Sequence, residues 1–130
     1  MQLALFLADS EVSSLTQTDD ALVIRLAAAS VERAALQHGG KSMPGYSRGV
    51  SLWLHAVQVE HLHSPFIGRV SSGRLQVAGS ALKSIPIPFE TASSVQLELH
   101  LANGASLLAS GQRLSVRFEG GVNFSESLAC

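Results

Sequence analysis

The string His61-Leu62-His63 holds the two side chains best spaced to share a ligand. On a β-strand, residues i and i+2 project from one face, so two imidazoles in this spacing can hold one metal ion. His100 is the only later histidine, and His55 lies six residues before the pair. A metal site therefore rests on His61, His63 and His100, with His55 as the alternative third donor. A nearby carboxylate is missing: Ser64–Val70 contains no Asp or Glu, and Glu60 alternates to the opposite face. The plainer reading is two solvated imidazoles at a strand end, and no cofactor is expected.

Two further strings match catalytic patterns. The segment from Ala35 to Ser42 ends Gly40-Lys41-Ser42, the spacing of a phosphate loop with Ala in place of the first Gly. That loop works by placing backbone amides at a helix start around phosphates. Pro44 stands where the helix must propagate, and no Asp follows Asp20 to help hold magnesium. Gly45-Tyr46-Ser47-Arg48-Gly49 has the form Gly-x-Ser-x-Gly. A nucleophile elbow needs a helix after the serine, whereas Val50-Ser51-Leu52-Trp53-Leu54 is strand-like. Both strings read more simply as Gly-rich turns, and no catalytic residue is assigned.

Trp53, the only tryptophan, shares a strand face with His55, opposite Leu52 and Leu54. Aromatic anchors are enriched at binding surfaces, so Trp53 and His55 are the candidate ligand-binding residues. The alternative for Trp53 is packing in a second apolar layer. Asn123-Phe124-Ser125 matches a glycosylation acceptor, which carries no meaning without a secretory signal.

The elements that must position these residues read as strands. Val95, Leu97, Leu99 and Leu101 alternate with Gln96, Glu98 and His100. Leu114, Val116 and Phe118 alternate with Ser115 and Arg117. A period of two marks a strand with one face in a core. Asn103-Gly104 predicts a tight hairpin with positive backbone angles, closing a unit that ends at Phe118. Leu3–Leu7 predicts a first strand ending at Asp9-Ser10, and Val12–Gln17 a second. Ala21–Ala28 reads as strand, with a short helix after it as the alternative. His38–Gly49 reads as loop. Val50–Leu62 predicts one long strand whose apolar phase slips near Ala56, as at a β-bulge. Phe66–Val70, Arg74–Gly79 and Ile85–Phe89 are short candidates, the last an edge because Pro86 and Pro88 cannot donate ladder bonds. The expectation is a single all-β domain over residues 1–130, an antiparallel sandwich or partly open barrel of seven to nine short strands.

Composition bounds the function. Nine basic and ten acidic residues give a net charge of −1 without any Lys/Arg block, which argues against nucleic-acid binding. Charged residues make up 15%, against an ordinary share of about 25%. A surface so poor in charge suits contact with another chain. The apolar start, Leu3 to Leu7, is too short to span a membrane and lacks a basic leader. Cys130 is the single cysteine and has no prenylation context. The reading is a cytoplasmic, non-enzymatic β-domain acting through a protein partner or as a homo-oligomer, with no nucleic acid and no membrane. A barrel holding a small apolar ligand is the first alternative, and a metal site on His55, His61, His63 and His100 the second.

Overall fold

Thirteen strands and no helix make up the described part of the computed structural model, residues 2–34 and 41–127. In chain order they are β1 (Leu3–Gln17), β2 (Ala21–Arg33), β3 (Met43–Ser47), β4 (Val50–His55), β5 (Gln58–Leu62), β6 (Gly68–Val77) and β7 (Ser80–Leu82). Then follow β8 (Ile85–Ile87), β9 (Phe89–Thr91), β10 (Val95–Leu101), β11 (Ser106–Gly111), β12 (Arg113–Phe118) and β13 (Ser125–Glu126). Several are only two or three residues long, which is why they exceed the seven to nine expected. Among the described residues, no helix is long and apolar enough to cross a membrane.

The pairings are antiparallel, in the order β5-β11-β10-β6-β1-β2-β4-β12-β9. This order dictates the shape. β11 is second in it and β12 eighth, yet only Gln112 joins them. β4 is seventh and β5 first, yet only Ala56 and Val57 join them. The two ends of the sheet must therefore lie against each other. At this corner Gln112 N–H donates to His55 O (3.0 Å), and a Cβ on Gly111 would lie 3.0 Å from the same oxygen. Two layers result, β9-β12-β4-β2-β1 and β6-β10-β11-β5, joined through β1 and β6 but not closed into a barrel.

The inward positions of both layers meet in one core. Leu22, Ile24, Leu52, Leu54 and Leu114 come from one side, and Leu75, Leu97, Leu99 and Leu107 from the other. Burying each such side chain contributes about 1.5–3 kcal/mol, so this interleaved set dominates the driving force. With few aromatics, leucine fills the space.

Four expectations change. β1 runs unbroken through Asp9-Ser10. Asp9 takes φ 68°, the register against β2 shifts, and the buried Ser10 hydroxyl donates to Phe6 O (2.8 Å) and accepts from Ser30 N–H (2.9 Å). Turn chemistry there makes a bulge and not an end. Ala21–Arg33 is strand to its last residue, so the helix alternative falls: its alternate residues Leu22, Ile24 and Leu26 enter the core. The predicted loop contains β3, paired with β2 and β13. Val50–Leu62 is two strands, and its phase slip marks Ala56 (φ 50°), where the chain crosses from one layer to the other.

The hairpin at Asn103-Gly104 also differs in form. Only Gly104 has a positive φ (94°), Gly104 N–H donates to Leu101 O (3.0 Å), and Leu101 N–H to Ala105 O (2.8 Å). This is a longer turn with glycine in the left-handed position. It joins β10 to β11 only, because β12 leaves for the other layer.

Candidate functional site

The outward face of β2, β4 and β12 carries three rows of directly opposed residues. Ala21, His55 and Arg113 form one, Val23, Trp53 and Ser115 the next, and Arg25, Ser51 and Arg117 the third. Directly opposed residues in antiparallel strands share a face, with Cβ atoms about 4.5–5.5 Å apart. The alternate residues of these strands fill the core, so register alone puts these nine on the outer face, where Val23 and Ser51 are covered by their neighbours.

Trp53 stands at the centre of this grid and is half-buried. Its Nε1–H donates to the buried Ser51 Oγ (2.9 Å), which fixes the ring's rotamer. The Arg117 guanidinium carbon lies 4.1 Å from the ring centroid, and that of Arg25 5.8 Å. A cation over the indole face is attracted by the negative face of its quadrupole. The His55 ring stacks alongside at 6.4 Å and 19°. Val23 is buried but lies outside the core cluster, with Trp53 as its cross-strand partner. The face thus has a small apolar layer of its own.

The charges around Trp53 are unevenly matched. Arg25 pairs with Glu119 (3.6 Å) and Arg113 with Glu90 (2.9 Å). Arg117 forms no ion pair among the described residues. Beside it lies a depression of ≈ 310 Å³ lined by Pro88, Phe89, Glu90, Ser115, Val116 and Arg117. Its origin is topological: β9 covers β12 only from Leu114 to Val116, leaving the edge at Arg117 open.

The histidines do not converge. His61 lies near the end of edge strand β5 and His63 is the first residue beyond it, with Nε2 and Nδ1 3.3 Å apart. His100 lies on β10, with β11 between, and its Nε2 faces Glu98 Oε2 at 3.2 Å. Two strand spacings, roughly 10 Å, separate it from β5. His55 belongs to the other layer. Among the described residues no group of three or more His, Cys, Asp or Glu can hold a metal ion. The expected set of His61, His63 and His100 is corrected to a pair.

The other strings have structural roles. Ser47 is fully buried, donates to Asn123 O (2.6 Å), and is followed by strand β4, so it is no elbow nucleophile. Asn123 clamps the β3–β4 turn: its Oδ1 accepts from Arg48 N–H (2.7 Å) and its Nδ2 donates to Arg48 O (2.8 Å). Most of the phosphate-loop string, and Cys130, lie outside the described residues. Ser42, at the end of that string, contacts Glu32 (3.3 Å) and leads into strand β3. A groove of ≈ 650 Å³ opens to solvent between Leu3, Glu32, Ser42, Ile87 and Pro88.

Trp53 and His55 share one face of β4, as alternation predicts, but Arg117, Arg25 and Ser51 were not legible as their neighbours. Alternation did place Ser115 and Arg117 on one polar face; the missing fact was that β12 pairs with β4. No protein-family model matches the chain, and comparison with curated proteins and with solved structures returns no significant match.

Proposed function

We propose that this chain is a non-enzymatic binding domain. Its contact surface is the outward face of β2, β4 and β12, and its partner is a protein segment that sets a carboxylate beside an apolar or aromatic side chain. The observation that carries this reading is the Trp53–Arg117 stack, with the arginine free of any ion pair among the described residues.

Trp and Arg are the residues most enriched among those that dominate binding energy, and they act best where a rim excludes water. Here the indole is held by Ser51 and the guanidinium is preorganised on the ring. Little side-chain entropy remains to be lost on association. A carboxylate approaching Arg117 gains a bidentate partner without displacing an existing one. The depression beside Arg117 offers room for an adjoining apolar group. The low overall charge, 15% of residues, fits a surface that operates in contact with another chain.

A random peptide library displayed against the untagged protein tests this. Enriched peptides are expected to combine Asp or Glu with an aromatic or aliphatic neighbour, and to lose binding to Trp53→Ala and Arg117→Glu. Peptides that bind both variants as well as the native protein would remove the proposal.

A further inference from the structure

His61 and His63 form a cluster that the binding face does not use. They sit on the opposite layer, at the end of β5, the edge of the strand order: His61 is in the strand, and His63 follows its last residue, held by His63 N–H donating to Ser106 O (3.0 Å). Leu62 between them turns inward and packs against the core, and its partner across the ladder is Leu107. That anchor sends both imidazoles to the outer face, where both are exposed.

The geometry points to a chelation site for a divalent transition-metal ion of the zinc or nickel type, held by His61 Nε2 and His63 Nδ1. Zinc–nitrogen bonds are about 2.0–2.1 Å, so two ligands of a tetrahedral ion lie roughly 3.3–3.4 Å apart. The two nitrogens are 3.3 Å apart. That is longer than the usual range for a nitrogen-donated hydrogen bond, about 2.7–3.2 Å to oxygen. The rings are perpendicular (88°, centroids 4.6 Å), so neither shields the other's nitrogen by stacking. Ser106 Oγ lies 3.3 Å from the same His63 nitrogen, an exposed contact that this nitrogen gives up when its lone pair binds the ion.

The donor set selects the ion class. Imidazole suits zinc, copper and nickel, whereas magnesium and calcium require oxygen ligands. No third His, Cys, Asp or Glu of the described residues joins the pair. Two positions on a tetrahedral ion therefore fall to water, which makes the site open and exchangeable and not a structural centre. His100 is engaged with Glu98 and stays outside it.

Isothermal titration of the untagged protein with zinc, nickel and magnesium chloride tests the site, using His61→Ala, His63→Ala and, as control, His100→Ala. All three positions are exposed, and circular dichroism verifies each fold. Zinc and nickel are expected to bind the native protein and His100→Ala one to one, and magnesium to neither. Losing either ligand should weaken binding by more than about tenfold, the scale at which even supporting groups act at metal sites. Absence of zinc binding to the native protein, or undiminished binding to the two ligand variants, would overturn the assignment. So would binding that tracks His100.

Discussion

The Arg117 guanidinium carbon lies 4.1 Å from the centroid of the Trp53 ring, although 64 residues separate the two in sequence. The contact exists because β12 pairs with β4 in a register that sets Ser115 opposite Trp53 and Arg117 opposite Ser51. A one-residue slip would send both side chains into the core. The leucines on the inner face therefore hold the outer face in place.

Removing the cation uncovers the indole. Arg117→Ala should raise acrylamide quenching of the single tryptophan and shift its emission to the red. The stability cost is modest, roughly 0.5–1 kcal/mol for an exposed cation–π pair. Unchanged quenching would mean that Arg117 does not rest on the ring in solution.

Close approach of β1 to β6 predicts a steric penalty at Gly73. A Cβ there would lie 2.7 Å from Leu7 Cβ and 2.9 Å from Leu99 Cδ2, while one on Gly120 meets nothing within 4 Å. Gly73→Ala should lower stability by about 1–3 kcal/mol, the usual cost of overpacking. Gly120→Ala should leave the urea midpoint near the native value. Equal midpoints for the two variants would contradict the packing described.

The core at the layer corner is sensitive to loss of volume. Leu54 is fully buried and directly opposes Leu114. Leu54→Ala should cost about 2–5 kcal/mol in urea denaturation. A smaller loss would show that Leu54 lies outside the interleaved core.

The Asn123 clamp holds β13 and the β3–β4 turn together. Asn123→Ala removes two hydrogen bonds to Arg48, worth about 1 kcal/mol each. Limited proteolysis should then cut near Gly120-Gly121 faster than in the native protein. Cleavage at the native rate would show that the tail is held elsewhere.

Local alternation carried much of this fold. Leu97, Leu99 and Leu101 announced β10, and Trp53 with His55 announced the outer face of β4, since a period of two is a local property. Pairing is not local. Nothing between Ser106 and Phe118 signals that Gln112 ends one layer's strand and begins the other's. Arg117 could not be placed beside Trp53 without that fact. Asp9-Ser10 and Ala56 carry turn or break signals that serve as a bulge and a corner, and only the tertiary path distinguishes these from strand ends. His61 and His63 were legible as a pair because i and i+2 fall on one face of any strand. The exclusion of His100 depends on β11 lying between them.

Site-specific photocrosslinking in the cell that produces the protein tests the binding face most directly. A benzophenone side chain at Ser115, beside Trp53, is compared with one at Gln96, exposed on the opposite layer. The account predicts one dominant protein adduct from position 115 that disappears when Arg117→Glu is added, and none from position 96. Equal crosslinking from both positions, or an adduct indifferent to Arg117→Glu, would contradict it.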